Sequence, residues 1–175
     1  MKTGKIDDSS LFLPQDEALL TMARSPQVLA IGEAGIDHFC SAPMQQQFAL
    51  FSNQARLAER VGKPLIVHMV RSASEILFLK KQLRPTMPWI IHGFRGGEAL
   101  ARQLVDHGFY LSFGTHYRPE AISITPKNRL FIETDDSISP VVELYQSIAV
   151  VLGISTHDLL FTVADNIERT FFCGR

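Results

Sequence analysis

Residues 64–92 read PLIVHMVRSASEILFLKKQLRPTMPWIIH, a stretch with two short apolar runs that each end at a histidine, His68 and His92. Apolar residues at helical spacing, among them Ile76 and Leu79, separate the two runs, so the stretch predicts a strand, a helix and a second strand. Neither run alternates apolar with polar residues, which is typical of parallel strands covered on both faces. We therefore expect a parallel α/β sheet.

Two further apolar runs end in the same way. VLAIGE ends at Glu33 and RLFIETD ends at Asp135, and the four end residues are separated by 35, 24 and 43 positions. These separations fit successive β-α units of roughly 30 or more residues each. The carboxyl ends of parallel strands share one edge of a sheet, where α/β enzymes place their sites. We therefore predict that Glu33, His68, His92 and Asp135 converge on one point.

Strands and helices alternate along the whole chain. The predicted strands are 28–31, 65–68, 89–92, 109–113 and 129–133. The predicted helices are 13–24, 43–62, 72–84, 97–107, 140–152 and a last one that begins at 155 or 156 and continues towards 172. Ser72 and Glu75 have the spacing of a capping box, and residues 117–127 are expected to be irregular. Because a closed eight-stranded barrel has at least about 200 residues, we expect an open sheet or a barrel lacking some strands.

The composition is that of a globular α/β protein. The chain has 175 residues, of which 46% are hydrophobic and 20% charged, and its mean hydropathy is +0.07. We expect one domain, residues 1–175. The formal net charge is −1, so bulk charge gives no support for binding nucleic acid, although a local basic patch remains compatible with it.

Cysteine usage and the N-terminal sequence bear on location. Cys40 and Cys173 have no C-x-x-C spacing, which favours two reduced thiols in a cytoplasmic protein. MKTGKIDDSS, residues 1–10, has no apolar core of a signal peptide, and no window reaches 18 consecutive apolar residues. We expect no membrane contact, and nothing in the sequence indicates an obligate protein partner.

Six motifs give the chain a family resemblance. They are AIGEAGID (30–37), PLIVH followed by Arg71, IIHGFRGG (90–97), GFYLSFG (108–114), FIETDD (131–136) and NIERTF (166–171). In this order and spacing they resemble the TatD-related metal-dependent hydrolases and deoxyribonucleases. The resemblance implies a TIM-type (β/α) barrel that holds one or two divalent ions such as Zn, Mn or Mg.

The resemblance also implies roles for the four strand-end residues. Glu33 would be the carboxylate that can bridge two metals, and His68 and His92 would be imidazole ligands. Asp135 would bind metal and take the proton of the attacking water, which makes it the catalytic residue. The chemistry agrees, because a catalytic zinc site uses about three nitrogen or oxygen ligands and keeps one position open.

The chain departs from the family pattern at its start. The family opens with a strand ending in an H-x-H pair, and no two of the six histidines here are two residues apart. The match therefore begins at about the family's third strand. We expect this chain to hold at most one ion, weakly, and to have reduced or no activity. A barrel without its first strands would expose sheet edges, so either a partner chain covers them or the natural protein begins upstream of Met1.

Several further residues are candidates for contacts at the same edge. Arg71, Arg95 and His116 follow predicted strands and are substrate candidates, because guanidinium groups match phosphate geometry. Glu133 is expected to orient a histidine. Asn166 is expected to cap a helix and Trp89 to lie in the core, and helix-end solvation is expected for His107 and His157.

Each site residue also has a structural alternative. Glu33 would be a turn residue beside Gly32, the two histidines would be core residues, and Asp135 would be a turn carboxylate. The leading function is hydrolysis of a phosphodiester, in DNA or another small ester, by metal-activated water. The alternative is a non-catalytic remnant or binding domain of the same fold. An amidohydrolase acting on cyclic amides is weaker, because no strand end supplies the bridging lysine common in such sites.

Overall fold

Five strands form one sheet in which each strand pairs in parallel with the next along the chain. The structure is a computed structural model that describes residues 15–172. The strands are β1 (Ile31–Asp37), β2 (Leu65–Val70), β3 (Trp89–Ile91), β4 (Phe109–Phe113) and β5 (Leu130–Ile132). The predicted parallel α/β sheet is confirmed. Because the order is sequential, β1 and β5 are the two edges of this sheet.

Helices connect the strands and follow the last one. They are α1 (Gln15–Arg24), α2 (Met44–Val61), α3 (Ala73–Leu83), α4 (Glu98–Asp106), α5 (Pro119–Ile124), α6 (Val141–Leu152) and α7 (Thr156–Ile167), with a 3₁₀ turn at Lys127–Arg129 and a π-helix at Glu168–Phe172. The predicted start of the first helix at Leu13 and Pro14 lies outside the described residues, as does Cys173. Within residues 15–172, no single helix is long and apolar enough to cross a membrane.

The hydrophobic core lies between the sheet and the helices. Leu65, Val67, Trp89 and Leu111 are fully buried strand residues in this core. The Trp89 ring meets Phe51 of α2 edge to face, with 5.1 Å between ring centroids. Burial of this kind contributes about 25 cal/mol per Å² of apolar surface, which makes it the main force that fixes the helices against the sheet. The predicted core position of Trp89 is confirmed.

The first strand differs from its prediction. It covers Ile31–Asp37 rather than residues 28–31, so Glu33 lies inside the strand and not past its end. Gly32 and Gly35, which resemble turn glycines, permit close contact with β2 instead. A Cβ atom on Gly35 would lie 1.7 Å from the His68 carbonyl oxygen, and one on Gly32 would lie 2.7 Å from that of Ile66. The pairing shifts register between Ile31 and Ala34, and Glu33 lies in this bulge.

The second strand also extends beyond its prediction. It continues to Val70, and His68 lies inside it, paired with Gly35 of β1. The predicted ends of the third and fifth strands are closer to the structure, because His92 immediately follows β3 and Asp135 follows β5 by three positions. The register of the parallel strands therefore brings all four residues to one side of the sheet, although two of them lie inside strands.

The predicted capping box at Ser72 is wrong. Ser72 is the N-cap residue of α3, but its side chain makes no capping bond to the helix. Its buried hydroxyl donates instead to the carbonyl of Ile36 at 2.6 Å, while Glu75 accepts from Ser74. This bond anchors the start of α3 to β1. It also gives the buried hydroxyl the hydrogen-bond partner that a buried polar group needs.

Two other local predictions are wrong. Residues 117–127 are not all irregular, because Pro119–Ile124 form helix α5 with Pro119 in its first turn. Asn166 does not cap a helix. It is buried inside α7, and its amide nitrogen donates to the carbonyls of Lys127 and Leu130 at 2.7 and 2.8 Å. These two bonds attach the last helix to the start of β5.

We expect Gly35→Ala to lower the free energy of unfolding by more than about 3 kcal/mol, because the added methyl group would overlap the β2 backbone. Chemical denaturation monitored by circular dichroism measures this change. Gly153→Ala is the matched control. Gly153 has φ +62 but nothing near its would-be Cβ, so its replacement should cost only about 1–2 kcal/mol. Equal losses in the two variants would contradict the close contact of β1 with β2.

Candidate metal centre

Three of the predicted ligands, one in β1, one in β2 and one directly after β3, lie close together. The Nε2 atom of His92 lies 3.0 Å from Nδ1 of His68 and 3.1 Å from Oε2 of Glu33. One ligand atom from each of the three residues lies within 4.8 Å of the others, a group that could hold a metal ion. Their exposure is graded, since the side chain is 12% exposed at His92, 38% at His68 and 52% at Glu33.

Glu133, which directly follows β5, supports His92. Its Oε1 atom accepts a hydrogen bond from the backbone N–H of Gly93 at 2.7 Å and lies 3.5 Å from Nδ1 of His92. Its other oxygen accepts a hydrogen bond from the Ser112 hydroxyl. A carboxylate facing Nδ1 favours a proton on that nitrogen. Nε2 then carries a lone pair, which is directed at His68 and Glu33. This is the protonation form in which imidazole binds a metal.

The charges around His92 require a compensating positive charge. The ion pair with Glu133 raises the pKa of His92, and Glu33 and Asp135 raise it further, while burial opposes the shift. Because acidic oxygens face both ring nitrogens, neutral His92 would direct a lone pair at the Glu33 carboxylate. Either a proton on His92 or a bound cation removes this repulsion. The donor set therefore fits a divalent ion.

Asp135 belongs to a second group around the same histidine. Ligand atoms of His92, Glu133 and Asp135 also lie within 4.8 Å of one another. Asp135 is exposed and has φ +47, in the left-handed region that aspartate tolerates better than most residues. The four predicted residues therefore lie together at one edge of the sheet, with His92 shared by both groups.

Asp37 lies beside the first group. One of its carboxylate oxygens is 3.7 Å from Nε2 of His68, and the other accepts from the backbone N–H of Phe39 at 2.7 Å. Its own backbone N–H donates to Gln47 of α2 at 2.8 Å. These contacts fix the loop that follows β1.

The predicted substrate candidates surround this centre. Arg71 and Arg95 line a cavity of about 830 Å³ together with His68, His92 and Asp135. His116 lies apart from that cavity, in a small neighbouring pocket that also contains Arg95 and Asp135. The structure thus places the three candidates near the candidate metal ligands.

Sequence reasoning missed several residues at this edge. Ser112, which donates to Glu133, lies within the apolar run FYLSF. A single serine inside an apolar run was the only sign of this role in the sequence. Phe39 and Arg118 also line the main cavity. Both are loop residues, and no local pattern marks them.

The remaining histidines lie outside both groups. His38 contacts Glu75 at 3.0 Å, and His107 follows the end of α4, where its ring contacts the carbonyl of Gln103. His157 lies in the first turn of α7, where its ring packs against Phe161. The helix-end positions predicted for His107 and His157 are confirmed.

The model of the family described as "TatD related DNase" matches residues 7–172. The chain belongs to the TatD-related DNase family. Among its relatives, a protein named uncharacterized metal-dependent hydrolase YabD, from Bacillus subtilis, is 38% identical over 119 residues, which cover 62% of this chain and 46% of that protein. The 3'-5' ssDNA/RNA exonuclease TatD of Klebsiella pneumoniae is 33% identical over 141 residues, which cover 74% and 53%. The chain thus spans about half the length of these TatD relatives.

Solved TatD structures have the same fold. YJJV, a TatD homologue from Escherichia coli K12, superposes with a TM-score of 0.79 at 22% identity, over 94% of this chain and 71% of that one. A TatD family hydrolase from Entamoeba histolytica gives 0.78 at 19% identity, over 90% and 68%. The predicted TIM-type architecture is therefore confirmed for the part of the barrel that this chain contains.

We expect Glu133→Gln to lower the free energy of unfolding at pH 7 by about 1.5–3 kcal/mol, because it removes the charge from three buried contacts. Burial raises the pKa of Glu133, but its contacts with His92, Ser112 and Gly93 outweigh burial and hold it below the usual 4.5. The stabilisation is therefore complete above pH 4.5 and is lost as the pH falls through the folded-state pKa.

Thermal or urea unfolding between pH 3 and pH 7 measures this difference. Glu98→Gln is the control, since Glu98 is an exposed partner of Arg102 and its loss should change stability by less than about 1 kcal/mol. If the difference in free energy of unfolding between the two variants stays constant over the whole pH range, the assigned role of Glu133 is contradicted.

Proposed function

We propose that this chain is the ligand-bearing part of a metal-dependent hydrolase that cleaves phosphodiester bonds in DNA or RNA. The observation that carries the proposal is the convergence of Glu33, His68 and His92 ligand atoms within 4.8 Å. The Klebsiella relative is named as an exonuclease of single-stranded DNA and RNA, which supports the substrate class.

Glu33, His68 and His92 are the residues that would hold the ion. Glu133 is less suited to be a ligand, because its oxygens already accept bonds from Gly93 and Ser112. The second group around His92 therefore lacks a free carboxylate besides Asp135. For this reason the proposal assigns one ion to the chain, of a type such as Zn, Mn or Mg that accepts imidazole and carboxylate together.

Asp135 is the proposed proton acceptor. It is exposed, lies at the same edge as His92 and makes contact with the cavity. When bound, a divalent ion supplies Lewis-acid polarisation of the phosphate and activates water near neutral pH. A carboxylate beside the attacking water takes its proton, a contribution of about 10²–10⁴ in rate.

Arginine side chains would bind the substrate phosphates. Arg71 and Arg95 are both exposed and line the cavity beside His92. The planar guanidinium group presents paired N–H donors that match two phosphate oxygens. His116 is the third proposed contact, from the pocket beside Asp135.

A non-catalytic remnant or binding domain is the second candidate. It is favoured by one observation, namely that the second group of ligand atoms around His92 has no free carboxylate besides Asp135, because Glu133 already accepts bonds from Gly93 and Ser112. In that case the ion would bind without turnover. The metal titration and the nuclease assay below separate the two candidates.

Isothermal titration with Zn²⁺ or Mn²⁺ should give one ion per chain. We expect His92→Ala to abolish this binding, because His92 is common to both groups of ligand atoms. His107→Ala is the control and should bind as the unmodified protein does, since His107 lies at the end of α4. Two tightly bound ions per chain would contradict the single-ion assignment.

In a nuclease assay with Mn²⁺ and a labelled single-stranded oligonucleotide, Asp135→Ala should lower the rate at least about 100-fold. Asp106→Ala is the matched control and should stay within about threefold of the unmodified protein, because Asp106 is exposed at the end of α4. If the unmodified chain binds metal but cleaves no faster than Asp135→Ala, the remnant interpretation replaces the enzymatic one.

A further inference from the structure

Phe39 is an exposed aromatic side chain beside the metal centre. It is 68% exposed, although burial is the usual state of a phenylalanine. Its backbone N–H donates to the Asp37 carboxylate, and the next N–H, that of Cys40, donates to the Asp37 carbonyl. These bonds tie the ring position to β1, so that its exposure is a property of a fixed loop.

Arg71 lies over the Phe39 ring. The central carbon of its guanidinium is 4.7 Å from the ring centroid, which is within cation–π distance. Arg71 itself is exposed. Because Phe39 is 68% exposed with the guanidinium in place, a flat ligand can still stack on its ring.

Both side chains line the same cavity as His68, His92 and Asp135. Two more arginines, Arg95 and Arg118, line it as well. Among residues 15–172, the ion pairs include none of the three arginines, and Asp135 is the only carboxylate in the cavity wall. The cavity therefore has an excess of positive charge and one flat apolar surface, features that complement a phosphate and a base of one ligand.

We propose that Phe39 and Arg71 form a nucleotide subsite, in which an unpaired base stacks on Phe39 while Arg71 binds an adjacent phosphate. The proposal rests on the proposed phosphodiester function and names its specificity-determining residues. A base inside a duplex has both faces covered, so only a single strand or a frayed end can use this ring. Phenylalanine has no hydrogen-bonding group, so the subsite accepts any of the bases.

Binding without cleavage tests the subsite directly. The full chain is titrated into a fluorescein-labelled single-stranded oligonucleotide in EDTA, and fluorescence anisotropy gives the dissociation constant. A second oligonucleotide of the same length has abasic sites. Removal of one stacking side chain should weaken binding of the base-bearing strand by about 5- to 150-fold, since a stacked base contributes about 1–3 kcal/mol.

The variants isolate stacking from charge. Phe39→Ala should show this loss for the base-bearing strand and less than about twofold change for the abasic strand, and Phe39→Trp should restore binding. Arg71→Gln should weaken both strands and reduce the salt dependence of binding. Phe161→Ala is the matched control, because Phe161 is 63% exposed on α7, away from the cavity.

Equal losses for the two strands in Phe39→Ala, or no preference of the unmodified chain for the base-bearing strand, would overturn the subsite. Thermal melting confirms that each variant is folded. The Mn²⁺ nuclease assay on the same proteins separates the two proposals. Base-dependent binding without cleavage supports the subsite and contradicts the hydrolase. Cleavage without base-dependent binding supports the hydrolase and contradicts the subsite.

Discussion

Parallel pairing of neighbouring strands determines where every polar side chain of this site lies. Each strand of the sheet pairs with the one before it in the chain, so that the carboxyl ends of β1, β2 and β3 adjoin one another. One of these pairings joins Gly35 to His68, where a Cβ atom would overlap the β2 carbonyl. Because Gly32 and Gly35 have no side chains, β1 packs closely against β2 on both sides of Glu33, whose carboxylate lies within reach of both histidines.

The same arrangement concentrates negative charge around one imidazole. His92 contacts Glu33 on one side and Glu133 on the other, and Asp135 lies close by. Glu133 is itself bound by Gly93 and Ser112, which come from the loop after β3 and from β4. Three consecutive strands and their loops are thus joined through a single carboxylate. A backbone N–H and a buried hydroxyl hold Glu133 in place, and Glu133 in turn orients His92, the residue that both candidate ligand groups share.

Much of this architecture was predictable from the sequence. The strand–helix alternation follows from apolar periodicity, and α2 and α6 end where Gly62 and Gly153 adopt left-handed conformations. The four candidate ligand residues were predicted because each one ends an apolar run in the sequence. What failed depends on contacts between distant segments. Gly32 and Gly35 look like turn residues unless the backbone of β2 is known to lie against them.

Other failures have the same origin. The spacing of Ser72 and Glu75 fits a capping box, but the hydroxyl has a better partner in the Ile36 carbonyl, which is distant in sequence. Asn166 has a helical context, yet its amide binds two carbonyls near β5. Phe39 and Arg118 have no local signal at all, because only the folded chain brings their loops to one cavity. Local pattern predicts elements, whereas tertiary contacts decide which side chains meet.

The sequential strand order means that neighbouring parts of the sheet supply the candidate metal centre. Every contact around His92 described above joins segments that are next to each other in the sheet or one strand apart. The distances around His92 therefore depend only on contacts between neighbouring segments, as in proteins built from stacked repeats. They do not depend on contacts between strands on opposite sides of a closed barrel. Five neighbouring strands of a barrel can therefore keep these distances, whatever forms the side of the barrel opposite to them.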